Sequence, residues 1–458
     1  MPLLDSSDSR PVHFVGIAGA GMSALAELFV RRGVRVTGCD TNPAGAADLE
    51  RAGVPVVGAH DPVHAESSRA LVVTSAMPRD HPELARAREL GLPVIRRAEA
   101  LGEAVSGGEL VGIAGTHGKT TTTVLTTEAL AAAGLGPTGV AGGRVGAWGG
   151  NLSDGSDRLF VVESDEYDRS FLALTPTVAV VTNIEADHLD IYADLADIRG
   201  AFAQFVRPAR AIVLCADDAG ANTLPVPSSA EVIRYGVEST DARLLARGVT
   251  PSGTGSAFGV EYDGERLGSV TLQVPGMHNV RNALAAIASG LALGAKLEAM
   301  APGLARFTGV ERRFQRLGER AGVTVVDDYA HHPTEIEATL QAARAAFPGR
   351  RVVVAFQPHL FSRTRDFAAE FGRALARADS IFLTDIYPAR EKPIPGVSAD
   401  LIDASARSAG VVVAWRGPRA GLARALADEV REGDVVLTVG AGDITKTGPE
   451  LLGLLGDA

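Results

Sequence analysis

Gly115-Thr116-His117-Gly118-Lys119-Thr120-Thr121-Thr122-Thr123 follows the apolar run Leu110-Val111-Gly112-Ile113-Ala114. A buried strand is expected to open through a glycine turn straight into a helix. That is a phosphate cradle. Glycines let backbone N–H groups approach phosphate oxygens, the helix start adds a favourable dipole, Lys119 reaches β- and γ-phosphates, and the Thr120 hydroxyl suits Mg²⁺. A merely capped, Thr-rich helix start is the plain alternative, and the preceding strand and the internal Lys-Thr pair argue against it. The usual loop would have its first glycine where Ile113 stands, so this is a shortened variant, unlike that of Ras-type or transport ATPases. Lys119, Lys296, Lys392 and Lys446 are the only lysines among 44 basic residues. A lysine kept in the loop of so arginine-rich a chain points to a need for a compact ammonium.

Composition narrows the class. At 458 residues the chain has room for about three domains of roughly 150 residues, and 46% apolar with 22% charged residues suits globular cores. A net charge of −11 without basic runs argues against nucleic acid as a partner. The polar, acidic stretch from Met1 to Arg10 and the short apolar window from Ala283 to Ala295 predict no membrane insertion and a cytoplasmic protein. Cys39 and Cys215, the only cysteines, are far apart and end apolar runs; two buried thiols are expected, with neither a disulfide nor a cysteine-ligated metal.

Strand and helix patterns alternate along the whole chain, which predicts an α/β fold with parallel strands. The expected division is a Rossmann-like N-terminal domain at 1–107, a central P-loop ATPase α/β domain at 108–313 and a Rossmann-like α/β C-terminal domain at 314–458. Strands are expected at Val12–Val15, Arg35–Thr37, Leu71–Val73 and Pro93–Ile95, then at Leu110–Ala114, Leu159–Val162, Thr177–Val181 and Ala211–Leu214. The last domain is expected to hold strands at Val323–Val326, Arg351–Ala355, Ser380–Leu383, Val411–Val413 and Val435–Val439.

A second glycine loop, Gly16-Ile17-Ala18-Gly19-Ala20-Gly21, lies between the first strand and helix, with Asp40 closing the next strand. An NAD-dependent oxidoreductase is one reading of that pattern. Against it, the glycine that would admit a pyrophosphate is Ala18, so the safer expectation is a diphosphate-containing ligand, with a tight structural turn as the alternative. Acids gather after two strands beside the phosphate loop. Glu163, Ser164, Asp165, Glu166 and Asp168 follow one; Glu185, Asp187, His188 and Asp190 follow the other. Such placement predicts one or two Mg²⁺ sites, with Glu163 and His188 as the chosen ligands and the remaining acids read as solvated.

These stretches together resemble the Mur ligase family. The resemblance rests on His13 to Ser23, Gly115 to Thr123, Glu163 to Glu166, Thr182 to His188, Pro275-Gly276-Met277-His278-Asn279, Asp327 to Glu335 and Gln357-Pro358-His359. It implies ATP-driven amide formation: the lactyl carboxylate of UDP-N-acetylmuramate takes the γ-phosphoryl group of ATP, and the amine of L-alanine displaces phosphate. Mg²⁺ is the implied cofactor, ATP a co-substrate, and a monomer or homodimer the expected working unit. Domain closure is expected in order to keep water from an acyl phosphate.

The same resemblance distributes the candidate residues. Gly16, Ala18, Gly19, Ala20, Gly21, Met22, Asp40, Thr74 and Ser75 are implied at the UDP-sugar. Gly115, Thr116, His117, Gly118, Lys119, Thr120 and Thr121 are implied at the ATP phosphates, with Lys119 and His188 catalytic. Thr120 and Glu163 are implied to hold the Mg²⁺ of ATP, and His188 a second Mg²⁺. His278, Asn279 and Asn282 match an adenine-reading segment, for which an Asn-capped helix start is the structural alternative. Arg313 and Asp328 are implied at the γ-phosphate and ribose. His331, His332, His359 and Arg363 lie in the amino-acid motifs, Arg363 being suited to alanine's carboxylate.

Two departures stand out. Several sister ligases use a carbamylated lysine near the second metal, but here no lysine lies between Lys119 and Lys296, so that bridge cannot form. Leu360 occupies a position where some relatives carry arginine, which leaves one arginine for the amino acid's carboxylate. A ligase joining a preformed tripeptide to the same UDP-sugar shares the central motifs and is the nearest alternative.

Overall fold

The computed structural model describes residues 3–5, 7–74, 77–389 and 391–456. The expected Ser75 therefore lies outside the described residues. The architecture is three-domain α/β, with sheets of five, ten and six strands. The chain groups into two compact units: 1–248 with 258–270 and 281–307, and 249–257 with 271–280 and 308–458.

In the first unit, the five-stranded sheet runs Val56–Val57, Val36–Cys39, Val12–Val15, Ala70–Val73, Val94–Arg96, every neighbouring pair parallel. Side chains of a strand alternate between faces, and both faces here are covered. Val12, Phe14, Val36 and Val72 pack with Leu25, Leu28 and Phe29 of the helix Ala20–Arg31. Val15, Cys39, Leu71 and Val73 pack with Leu84 and Ala87 of the helix Pro82–Glu89. Each such large aliphatic or aromatic side chain contributes about 1.5–3 kcal/mol on burial. Gly19, extended, is the N-cap of the helix Ala20–Arg31.

The ten-stranded sheet centres on Glu109–Ala114, with Ser156–Glu163 and Val178–Val181 parallel on either side. Ala211–Cys215 and Glu231–Gly236 extend one side in parallel, and Pro137–Val145 with the antiparallel Gly150–Ser153 extends the other. The outermost strands Leu244–Ser252, Gly255–Tyr262 and Glu265–Leu272 complete it. Both acidic stretches thus follow strands flanking the strand that feeds the phosphate loop.

In the second unit the six-stranded order is Gln315–Arg320, Val323–Asp328, Val435–Val439, Val352–Phe356, Ser380–Thr384, Val413–Gly417. Only the Gln315–Arg320 pairing is antiparallel. The last strand lies two residues beyond the expected Val411–Val413, since Gly410 turns the chain at φ 87° and Val412 is exposed. Among the described residues no helix is long and apolar enough to cross a membrane.

Candidate active site

The phosphate loop is built as its sequence dictates. Gly115 has φ 136° and Gly118 φ 81°. A Cβ at Gly115 would collide with Thr182 Oγ1, and one at Gly118 would stand 2.7 Å from Asn282 Oδ1, so only glycine fits either place. Asn183 fixes the turn between them: its Oδ1 accepts from the His117 amide at 2.7 Å, and its carbonyl accepts from the Thr116 amide at 3.0 Å. Thr182 Oγ1 donates to His117 O at 2.6 Å. The helix Lys119–Ala132 then begins directly, with Thr120 and Thr121 buried in its first turn.

Lys119 arches back over this loop. Its Nζ donates to Gly115 O at 2.8 Å and to Glu166 Oε2 at 2.8 Å, and lies 3.9 Å from Asp165 Oδ1. Burial works to lower the lysine's pKa, but Glu166 and Asp165 outweigh it and the ammonium is held above its usual range. Burial pushes the Glu166 carboxyl up to about 7 despite that ammonium. The sequence reading grouped Glu166 with solvated acids; it is 2% exposed. The available signal was its place three residues after Glu163, where the turn folds the chain back toward the lysine.

Two oxygen-rich sets flank the loop. Thr120 Oγ1 donates to Glu163 Oε1 at 3.1 Å, and Glu163 Oε2 accepts from the Gly142 amide at 2.6 Å. Asp165, Glu166 and His188 form the second, their donor atoms all within 4.8 Å of one another. His188 is turned there by a left-handed backbone, φ 53°. Hard oxygens with one imidazole suit a hydrated divalent cation.

In the first glycine loop, Gly16 has φ 81° and Gly19 caps the helix that carries Ala20, Gly21 and Met22. Asp40 faces the loop: its Oδ2 accepts from the Ala18 amide at 3.0 Å. Met22 is buried in the core. Thr74 lines a cleft with Arg79, Arg88 and Arg96, and Arg97 Nη1 lies 3.0 Å from where a Gly21 Cβ would be. These arginines were not read from the sequence, because apart from the adjacent Arg96 and Arg97 they are scattered over separate segments and form no longer run.

Helix Met277–Ala292 carries the adenine candidates. Asn279 Nδ2 donates to Pro275 O at 2.7 Å, a helix-start contact, while Asn282 Oδ1 accepts from Thr122 Oγ1 at 3.1 Å. The His278 ring packs on Gly276, whose φ is 98°.

In the second unit the remaining candidates gather where Val323–Asp328 and Val352–Phe356 end. Asp328 is buried, accepting from the amides of Phe314 at 2.8 Å and Ala330 at 2.7 Å; burial pushes its carboxyl up to about 6. Arg313 stacks over Tyr329, 5.1 Å from the ring centre, and lies 3.7 Å from Glu335. Glu335 also caps the helix start at His331 and His332. The His331 and His359 rings are 6.0 Å apart, and His359 stacks on Tyr387. Leu360, at φ 70°, caps the helix Phe361–Leu375, whose first turn holds the buried Arg363.

Comparison with known proteins agrees with this arrangement. Family models described as Mur ligase catalytic domain, Mur ligase middle domain and Mur ligase glutamate ligase domain match residues 11–108, 113–290 and 312–442. A UDP-N-acetylmuramate–L-alanine ligase of Kineococcus radiotolerans is 48% identical, with 97% of this chain and 96% of that protein covered. Its counterpart in Streptomyces avermitilis is 45% identical with 98% of each covered. The crystal structure of the UDP-N-acetylmuramate–alanine ligase of Thermotoga maritima superposes with a TM-score of 0.82 at 31% identity, covering 97% of this chain and 98% of that one. By sequence over almost its full length and by fold, this chain belongs to the Mur ligase family.

Proposed function

We propose that the chain is an ATP-dependent ligase joining L-alanine to the lactyl carboxylate of UDP-N-acetylmuramate in peptidoglycan precursor synthesis. The observation that carries this reading is the loop geometry at Gly115 and Gly118 with Lys119 arched over it, in a chain 45–48% identical to ligases of that name. The oxidoreductase reading of the first loop has weaker support, since the chain is 45–48% identical over nearly its full length to proteins named as ligases. The tripeptide ligase has weaker support, since murein peptide ligases of Psychrobacter arcticus and Neisseria meningitides are 24% and 28% identical, against 45–48% for proteins named as alanine ligases.

A carboxylate is a poor acyl donor. One of its oxygens attacks the γ-phosphorus, the bond to ADP breaks, and the acyl phosphate has a good leaving group. Alanine's amine, having given up a proton to water or base, then attacks the carbonyl carbon, and phosphate departs with the former carboxylate oxygen. Lys119 stabilises charge on the transferring phosphoryl group, and the loop amides from Gly115 to Thr121 hold the phosphates. Thr120 and Glu163 fit a Mg²⁺ ion in their hard donor set, and His188 fits a second; bound there, the ions would offset charge on phosphate oxygens.

The remaining assignments belong to the same reading. The UDP-sugar is taken by the loop Gly16 to Met22 with Asp40 and Thr74, aided by the nearby arginines. Adenine is read by His278, Asn279 and Asn282, ribose and γ-phosphate by Asp328 and Arg313, and alanine by His331, His332, His359 and Arg363. The division into domains at 1–107, 108–313 and 314–458 is supported by the three sheets. Since its substrates are ATP and a UDP-sugar, we place the enzyme in the cytoplasm, as a monomer or homodimer.

The reaction path is tested with UDP-N-acetylmuramate labelled with ¹⁸O in the lactyl carboxylate. Transfer of one label to the released phosphate is expected. Unlabelled phosphate would exclude an acyl-phosphate route.

A further inference from the structure

Beneath the first glycine loop, four side chains from four elements of the five-stranded domain converge. His13 lies on Val12–Val15, Cys39 ends Val36–Cys39, His64 lies on the helical turn Val63–Glu66 and Glu83 on Pro82–Glu89. One donor atom from each lies within 4.8 Å of all the others. His13, Cys39 and Glu83 are 2%, 0% and 0% exposed, and His64 is half-buried.

Three features suit this hydrogen-bonded cluster to a metal ion. The first is spacing. Cys39 Sγ is 3.3 Å from His13 Nε2 and 3.2 Å from Glu83 Oε1, His64 Nδ1 is 3.1 Å from Glu83 Oε1, and His13 Nε2 is 3.5 Å from Glu83 Oε2. Bonds of about 2.0–2.3 Å to a tetrahedral ion put neighbouring donors roughly 3.3–3.8 Å apart; two of these separations fall in that range and the other two lie 0.1–0.2 Å below it. The second is orientation: His13 Nδ1 is 2.9 Å from Thr37 Oγ1, which aims Nε2 at the cluster as an outer partner aims a metal-bound imidazole.

The third is charge. Glu83 meets imidazoles, a thiol and the Asp61 amide at 2.9 Å, with no arginine or lysine among its hydrogen-bond partners. A buried carboxylate needs a counter-charge or a metal. Carboxylate and thiolate together match a divalent cation, and thiolate, imidazole and carboxylate in a closed set of four select zinc over Mg²⁺ or Ca²⁺.

We infer that His13 Nε2, Cys39 Sγ, His64 Nδ1 and the Glu83 carboxylate form a structural zinc site in the N-terminal domain. The Cys39 proton leaves to solvent as the sulfur–zinc bond forms. His60, with Nδ1 3.1 Å from Cys39 Sγ, stands beside the site. Cys39 O accepts the amides of Gly16 at 2.8 Å and Ile17 at 3.1 Å, so the ion would anchor the strand end on which the first glycine loop rests. The two cysteines gave no sign of this, because the ligands are scattered from residue 13 to residue 83 and only folding assembles them.

The test uses the full-length protein without a metal-binding tag, stripped by chelator and titrated with Co²⁺ as a probe for zinc. One equivalent should bind with a thiolate-to-cobalt charge-transfer band and the intense visible bands of a tetrahedral ion, and zinc should displace it. Cys215→Ser should keep the band and Cys39→Ser should lose it. Thr37→Val, which removes only the outer partner, should keep the band and weaken affinity about 10–100-fold, whether or not Cys39→Ser folds. A wild-type spectrum without a thiolate band, or unchanged affinity in Thr37→Val, overturns the proposal.

Discussion

Lys119 Nζ stands 2.8 Å from both Gly115 O and Glu166 Oε2, so one ammonium ties the first glycine of the phosphate loop to a carboxylate that follows the neighbouring strand. A point charge can serve both from the floor of a tight loop; a planar guanidinium is too large to do so. Lys119→Arg should therefore lower kcat by about 10²–10³-fold while the protein stays folded. Steady-state phosphate release with circular dichroism checks this. Turnover within about threefold of wild type would remove the lysine from the transition state.

Glu163 Oε2 takes the Gly142 amide and Oε1 the Thr120 hydroxyl, which places this acid in the central sheet's site. Glu163→Ala should weaken Mg²⁺-ATP binding by about tenfold or more and leave UDP-N-acetylmuramate binding within about twofold, the order expected when a hydrated cation loses one of few protein ligands. Calorimetry separates the two affinities. Equal loss of both would mean that the ion is held elsewhere.

How far the sequence carried the fold is plainest at the phosphate loop. Leu110 to Ala114 is a short apolar run ahead of glycines, and its length and the flanking glycines favour a strand buried on both faces over a buried helix. The strands Leu244–Ser252, Gly255–Tyr262 and Glu265–Leu272 were not legible for the opposite reason. Leu244–Ser252 has a buried start and an exposed end without alternation, and in the other two strands the alternating buried positions are few and separated by glycine and small or charged residues. In the candidate site, the glycines and Lys119 could be read from local spacing. The burial of Glu166 was only hinted at by its place three residues after Glu163, because its partners come from other segments: Lys119 Nζ donates to its carboxylate and the Tyr192 hydroxyl to its carbonyl.

With no lysine between 119 and 296, no carbamate can assist the second cation, so activity should be indifferent to added bicarbonate. His188, within reach of Asp165 and Glu166, should carry more of that duty. His188→Ala should raise the Mg²⁺ concentration needed for half-maximal rate by about tenfold. Bicarbonate rescue, or an unchanged Mg²⁺ curve in the variant, would assign the second site to other residues.

Burial holds the Asp328 carboxyl at about 6, above the ordinary 3.8. A raised folded-state pKa means the folded protein binds this proton more tightly than the unfolded chain, so its contribution to stability is complete below about pH 4 and is lost as pH rises through about 6. The loss is on the order of 3 kcal/mol. Asp328→Asn cannot titrate and should lose less stability than wild type between pH 4 and pH 7, in urea unfolding at both pH values. Identical changes in both proteins would show that the carboxyl titrates normally.

The central claim is the amino-acid substrate. Purified protein should release ADP and phosphate only when ATP, Mg²⁺, UDP-N-acetylmuramate and L-alanine are all present, with one UDP-N-acetylmuramoyl-L-alanine formed per ATP consumed. Release of phosphate with L-alanyl-γ-D-glutamyl-meso-diaminopimelate, and none with L-alanine, would contradict it.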